Sequence, residues 1–142
     1  MTADRTAAGR VFLVHGHDYG AVHEIARFLE KARLEAVVLQ EQPNAGSTVI
    51  EKLSEHSNVG FAVVLMTEQR LRSRQNVILE LGYFLGKLGR QRVTVLYRRG
   101  VEIPSDYTGV LFIPFDEAGA WRLFLARELK TAGLEVDLNS LM

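Results

Sequence analysis

Five short apolar runs, separated by segments with helical periodicity, are the feature that most restricts the fold of this chain. The runs are Val11–His15, Ala36–Leu39, Gly60–Met66, Arg92–Tyr97 and Val110–Ile113. Continuous apolar strands are typical of a sheet covered on both faces, and their alternation with helices predicts parallel pairing with right-handed crossovers. We therefore predict an α/β fold, a five-stranded parallel sheet of order 2-1-3-4-5 with helices on both faces.

Length and composition exclude several classes of protein. The 142 residues fit one domain, which we place at residues 10–142 after a disordered N-terminal arm at 1–9. Seventeen basic and seventeen acidic residues balance without a basic patch, so duplex nucleic acid is not an expected partner. Cysteine is absent, which excludes thiol catalysis and thiolate metal sites. No apolar run reaches the roughly 18 residues of a membrane span, and we expect a cytoplasmic protein.

The segment Arg74–Gly89 predicts a largely apolar helix that begins after Ser73 as N-cap and ends at Gly89. Glu80 is the centre of its narrow polar stripe. A carboxylate in the first two turns gains about 0.3–1 kcal/mol from the helix dipole, so Glu80 is either this ordinary feature or a working carboxylate. The predicted buried face consists of Ile78, Leu81, Leu85 and Leu88, and the polar stripe of Asn76, Glu80, Tyr83 and Lys87.

Ligands of such sheets bind beyond the carboxyl ends of the strands, near strands one and three. The start of the central helix and the loops at 15–18, 40–47 and 67–74 reach this edge, so Asn76 and Glu80 are expected to face His15–Asp18 across one crevice. The residues His15, Gly16, His17 and Asp18 suit hydrogen bonding to a ribose or an amide. The alternative is an ordinary turn in which Asp18 caps the next helix. We predict no metal site, because the further ligands that zinc requires are not evident.

Four segments carry a resemblance to a known family: VFLVHGHD, LQEQPNAGSTVIEKLSEHSNVGFAVVLMT, RQNVILELGYFLGKLGRQRV and GVEIPSDYTGVLFIPFDEAGAW. Together they resemble the bacterial TIR-like, predicted nucleotide-binding domain of cyclic-oligonucleotide antiphage effectors, as in TIR–STING fusions. The resemblance covers about residues 10–139. It implies a flavodoxin-like TIR fold and cleavage of NAD+ to nicotinamide and ADP-ribose or cyclic ADP-ribose.

The family's Asn-Val-x-x-Glu-Leu-Gly pattern implies that Glu80 is the catalytic residue. Asn76 and Tyr83, one turn away on either side, are then expected to bind substrate together with the His15–Asp18 loop. NAD+ is the substrate in this interpretation, and no cofactor is predicted, because both the Gly-x-Gly-x-x-Gly and the Walker patterns are missing. A lone carboxylate suits this chemistry, since nicotinamide departs neutral and needs no general acid.

The resemblance also implies that stacking of TIR domains raises activity, because a neighbour's loop completes the cleft. The candidate loop is Gln40–Ser47, with Gln42, Pro43, Asn44 and Gly46 as assembly residues. We expect self-association into an oligomer or filament, and a cyclic-nucleotide sensor domain or protein as a possible partner. Two alternatives stay open: a catalytically silent TIR interaction module, and an enzyme like the nucleoside deoxyribosyltransferases.

Overall fold

A computed structural model describes residues 5–39, 49–67, 71–103, 109–137 and 139 of the chain. Its five strands form one parallel sheet of order β2-β1-β3-β4-β5, which confirms the predicted fold class. The strands are β1 (Arg10–Val14), β2 (Glu35–Val38), β3 (Phe61–Met66), β4 (Val93–Tyr97) and β5 (Leu111–Pro114). The helices are α1 (Arg5–Ala8), α2 (Tyr19–Lys31), α3 (Val49–Glu55), α4 (Leu71–Leu88) and α5 (Trp121–Thr131), with a 3-10 turn at Arg90–Arg92.

The sheet is buried on both faces, which explains why its strands are apolar without alternation. All six residues of β3 are buried. Successive side chains of a strand point to opposite faces, and each fully buried Leu, Val or Phe contributes about 1.5–3 kcal/mol. Helices α3 and α4 cover one face through Leu53, Val77, Leu81 and Phe84. Helices α2 and α5 cover the other through Val22, Ile25, Phe28, Leu29, Trp121, Leu125 and Leu129.

Helices α2 and α5 end in the same way. The backbone N–H of Leu34 donates to the carbonyl of Leu29, and that of Leu134 donates to the carbonyl of Leu129, as in a Schellman motif. The residue before each leucine adopts a left-handed conformation, with φ 66° at Arg33 and φ 96° at Gly133. Arginine is therefore strained at a position where the second helix carries glycine.

Helix α4 begins earlier than the sequence predicted. It starts at Leu71, so Ser73 lies inside the helix instead of capping it. The segment from 71 to 74, Leu-Arg-Ser-Arg, contains no glycine or proline that would stop a helix. The predicted end is confirmed, because α4 stops at Leu88 and Gly89 has φ 85°. Glu80 is consequently the tenth residue of α4, beyond the turns where the helix dipole acts.

The buried line of α4 is also rotated from the predicted one. Val77, Leu81 and Phe84 are at most 3% exposed, whereas Ile78 and Leu85 are only partly buried. The helix lies over β3 and contacts β1 and β4 as well, so its whole inner side meets apolar strands. Of the predicted face, Leu81 alone is fully buried.

Two further expectations are corrected at the ends of the domain. Residues 5–9, assigned to a disordered arm, form α1 and a hydrogen bond from the Glu35 N–H to the Gly9 carbonyl (2.8 Å). Residues 1–4 lie outside the described ranges. Helix α5, expected from Asp116 or Glu117, begins at Trp121, because the Asp116 carboxylate accepts from the N–H groups of Ala120 and Trp121, each at 2.9 Å. No helix in the described ranges is both long and apolar enough to cross a membrane.

Candidate active site

The first residue after each strand lies at the carboxyl edge of the sheet, and contacts join these five residues in two groups. We call this set the strand-end row; its members are His15, Leu39, Thr67, Arg98 and Phe115. Parallel strands bring such positions to one edge although they are distant in sequence. The row therefore marks the edge where a ligand of this fold class is expected.

Asp18 connects the middle of the strand-end row. One of its carboxylate oxygens accepts from the Ala21 N–H (3.2 Å) and caps α2, as one of the two sequence interpretations predicted. The other oxygen accepts from Nε of Arg98 (3.3 Å), and the Thr67 hydroxyl donates to the same carboxylate. Asp18 thus holds the ends of β3 and β4 against the start of α2.

Electrostatics keep Asp18 ionised. Partial burial acts to raise the pKa of Asp18, but the hydrogen bonds from Thr67 and Ala21 and the positive charge of Arg98 outweigh it, so the pKa lies below its usual value. Three donors already surround this carboxylate. Its predicted contact with substrate stays a prediction.

His15 connects the other end of the row. Its Nδ1 lies 2.7 Å from the Gly16 carbonyl and its Nε2 lies 3.2 Å from the carbonyl of Leu39, the residue that follows β2. A neutral imidazole has one N–H and donates to one of these carbonyls at a time. The exposed ring of Tyr19 lies edge-on to both histidines, with centroids 5.8 Å from His15 and 6.3 Å from His17. His17 is exposed at this edge, where the sequence placed it.

Glu80 is half-buried on α4, among apolar neighbours. Val77 and Phe84, one turn before and after it, are 3% and 0% exposed. Burial raises the pKa of Glu80 from its ordinary 4.5 to about 7. Within the described part of the chain, no hydrogen bond or ion pair to its carboxylate compensates this desolvation. A carboxylate in this state weakens the fold when it is ionised, which is typical of a functional residue and not of a helix-stabilising one.

The polar residues one turn from Glu80 differ in their surroundings. Tyr83, one turn further along α4, donates its hydroxyl to Oγ of Ser57 (3.4 Å), and Ser57 donates to the Ser54 carbonyl in α3 (3.0 Å). These bonds place Tyr83 beside the end of α3. Asn76 is exposed one turn earlier.

The structure does not join all predicted substrate-binding residues. Ser57 lies before β3, at the amino edge, so Tyr83 contacts the opposite end of the sheet from His15–Asp18. A helix rises about 1.5 Å per residue, which places Glu80 about 14 Å along α4 from Leu71, below the carboxyl edge. Among the described residues, no hydrogen bond or ion pair connects Asn76 or Glu80 with the His15–Asp18 loop. Their convergence on one crevice stays a prediction.

Sequence reasoning missed Thr67 and Arg98, which are the partners of Asp18. The signal was present, since both follow directly after a predicted strand whose carboxyl end belongs to the ligand edge. The assembly loop with Gln42, Pro43, Asn44 and Gly46 lies outside the described residues. The described ranges contain no group of three or more metal-ligating side chains, and the prediction about metal stays a prediction.

Comparison of the sequence with known proteins identifies the family of this chain. Residues 10–117 match the family described as CAP12/Pycsar effector protein, TIR domain. The chain is 46% identical to the uncharacterized protein YuaY of Escherichia coli (strain K12), over 94% of this chain and 48% of that protein. It is 35% identical to protein tirC of Dictyostelium discoideum, over 76% of this chain and 65% of that protein. It is 50% identical, over 30% of this chain and 14% of the relative, to the Pycsar effector protein BcPycTIR of Burkholderia cepacia.

The chain belongs to the TIR-domain family of CAP12/Pycsar effector proteins, the bacterial TIR domains of cyclic-nucleotide antiphage systems. It spans about half the length of YuaY and about two thirds that of tirC. This family agrees with the resemblance on which the sequence interpretation was based.

Proposed function

We propose that this TIR domain cleaves NAD+ to nicotinamide and ADP-ribose, or cyclic ADP-ribose, and that Glu80 stabilises the transition state. The observation that carries the proposal is the half-buried Glu80 carboxylate, which no described side chain neutralises. Ionising it in the free protein is costly, so it is prepared for a positive charge that arrives with the substrate.

The reaction breaks the bond between the ribose C1′ and the nicotinamide nitrogen. The bonding electron pair goes to the nicotinamide ring, which leaves neutral, and positive charge develops at C1′ and the ribose ring oxygen. The ionised Glu80 carboxylate lowers the energy of this cation in a poorly solvated site. Water then attacks C1′ and releases a proton to solvent, giving ADP-ribose. Attack by an adenine nitrogen instead gives the cyclic product.

Substrate binding favours the ionised form of Glu80. The nicotinamide ring of NAD+ carries a positive charge, and an opposite charge nearby lowers the pKa of a carboxyl group. A residue that titrates near pH 7 in the free protein becomes ionised when the pyridinium is placed beside it. The same charge then supports the transition state, so one side chain serves both steps.

The biological setting of the proposal is antiphage defence in the bacterial cytoplasm. The CAP12/Pycsar family supports this setting, and a cyclic-nucleotide sensor, as a separate domain or protein, is the proposed source of the activating signal. We further propose that self-association activates the domain, with the 40–47 loop of one copy completing the cleft of the next.

The experiment is to incubate the purified chain with NAD+ over a range of protein concentrations and measure nicotinamide release. Glu80→Gln keeps the size of the side chain and removes its charge, and should lower the rate by a factor on the order of 10² or more. Glu30→Gln is the matched control, since Glu30 is an exposed glutamate on α2.

Each other outcome would replace the proposal with a defined alternative. Unchanged cleavage in the Glu80→Gln variant would remove Glu80 from the mechanism. No nicotinamide release from the unmodified chain at any concentration would favour a silent interaction module. Base exchange on a deoxynucleoside would favour an enzyme like the deoxyribosyltransferases.

A further inference from the structure

We propose that Arg98 binds the diphosphate group of the dinucleotide substrate, an inference that rests on the proposed function. Arg98 follows β4 in the strand-end row, and its side chain is 43% exposed at the edge where ligands of this fold class bind. The guanidinium of Arg98 is held through its Nε, and the edge formed by Nη1 and Nη2 makes no contact with Asp18. A diphosphate is the part of NAD+ whose charge and geometry fit such a group.

Three interactions hold Arg98 in place. Its backbone N–H donates to the Met66 carbonyl (3.2 Å), and its Nε donates to Asp18 Oδ2 (3.3 Å). Its Cζ lies 5.1 Å from the ring centroid of Phe115, which is 7% exposed and donates its own N–H to the Tyr97 carbonyl (2.7 Å). A fixed planar fork loses little conformational entropy when it binds a ligand.

The two Nη groups remain available within the described part of the chain, where no residue accepts a hydrogen bond from them. An arginine has five N–H donors, and the contact with Asp18 uses only the one on Nε. The four on Nη1 and Nη2 form the edge that binds phosphate oxygens in a bidentate manner. The negative charge of Asp18 does not fully neutralise Arg98, because Ala21 and Thr67 also donate to its carboxylate.

The neighbourhood has the charge that a diphosphate requires. Arg99 is exposed beside Arg98, and the exposed His17 lies on the loop that Asp18 ends. Arg98 and Arg99 place two positive charges side by side after β4, while the nearby Asp18 is already engaged by three donors. A diphosphate carries two negative charges, so its contact with this edge is favourable and depends on salt.

Arg122 provides a matched control inside the same chain. It also pairs with a carboxylate, Glu24 Oε1 at 3.2 Å, and its Cζ lies 5.0 Å from the Trp121 ring. Its side chain is 48% exposed, close to the value for Arg98. Arg122 belongs to α5 and pairs across to α2, outside the strand-end row, so its replacement removes interactions of the same kind without touching the proposed diphosphate site.

The experiment compares NAD+ with nicotinamide riboside, which has the same scissile bond and no phosphate. A charge-assisted bidentate contact contributes about 1.5–3 kcal/mol, so Arg98→Gln should lower the ratio of kcat/KM for NAD+ to kcat/KM for the riboside by about 10- to 100-fold. Arg98→Lys keeps the positive charge and loses the planar fork, so its kcat/KM ratio should lie between those of Arg98→Gln and the unmodified chain. Arg122→Gln should leave the ratio unchanged. An equal loss on both substrates, or the same loss in Arg122→Gln, would overturn the proposal.

A binding measurement separates this proposal from the proposed function. ADP contains the diphosphate and cannot be cleaved in this reaction, so its affinity for the chain is measurable by calorimetry whether or not NAD+ is hydrolysed. Arg98→Gln should weaken ADP binding by a similar factor. If the chain releases no nicotinamide but its ADP binding weakens in Arg98→Gln, the NAD+ reaction is refuted and the diphosphate site is retained. ADP affinity that is equal in Arg98→Gln and the unmodified chain, or absent in both, would refute the diphosphate site.

Discussion

Replacing Glu80 with glutamine is expected to make the folded chain more stable at pH 8, even though it removes the proposed activity. Glu80 is half-buried beside Val77 and Phe84, and no described side chain pairs with its carboxylate. Its pKa of about 7 results from this desolvation. Stability and function therefore make opposite demands on this position, as they often do at active sites.

The magnitude follows from the two pKa values. Glu80 titrates near pH 7 in the fold and near 4.5, its ordinary value, in the unfolded chain. Between these values the folded chain keeps a proton that the unfolded chain has released, so the free energy of unfolding decreases as the pH rises. The stability that the chain has with Glu80 protonated is fully present below pH 4.5 and is lost as the pH rises through 7. At about 1.4 kcal/mol per pH unit the total loss is about 3 kcal/mol.

Urea unfolding at pH 5 and pH 8 measures the effect. Glutamine has no proton to lose, so the stability difference between Glu80→Gln and the unmodified chain should grow by about 2 kcal/mol over this range, in favour of the variant. The control is Glu30→Gln, in which the replaced carboxylate stays exposed in the folded chain. A difference that does not change with pH, or a variant that is less stable at pH 8, would show that the Glu80 carboxylate is hydrated or paired.

Four other predictions follow from the site and the fold. The kcat/KM for nicotinamide release should rise with pH through about 7, since only the ionised Glu80 stabilises a cation and kcat/KM reports the pKa of the free chain, and a flat kcat/KM profile from pH 5.5 to 8.5 would contradict this role. Arg33→Gly should raise the free energy of unfolding by about 1 kcal/mol and Gly133→Ala should lower it by a similar amount, because both positions are left-handed; urea unfolding gives both signs. His17→Ala should weaken NAD+ turnover, and chelators should not affect the unmodified chain; inhibition that zinc reverses would reveal a metal site. Specific activity should rise with protein concentration, and Asn44→Arg should flatten that rise; a monomer by light scattering with constant specific activity would refute activation by assembly.

Local pattern predicted the elements of this fold better than their boundaries. The end of α4 was correct because Gly89 gives an unambiguous stop, with φ 85°. The predicted start was wrong because serine is favoured as an N-cap but is also tolerated inside a helix. The sequence near Ser73 does not distinguish these two positions. The start of α5 was wrong for a related reason, since the Asp116 carboxylate caps N–H groups four and five residues further on.

The amino-acid sequence by itself determined the strands and helices and the burial of both sheet faces, because apolar periodicity is a local property of the chain. The order of the strands followed from the usual topology of such alternating chains, and Glu80 was selected as a candidate from its place in a helical motif. Only the tertiary structure decided which side chains meet. Asp18 and Arg98 are 80 residues apart, and Thr67 joins them only because β1, β3 and β4 end side by side at one edge. The desolvation of Glu80 is likewise a tertiary property, because an isolated helix leaves such a carboxylate in water, whereas the packing of α4 in the folded chain partly buries it.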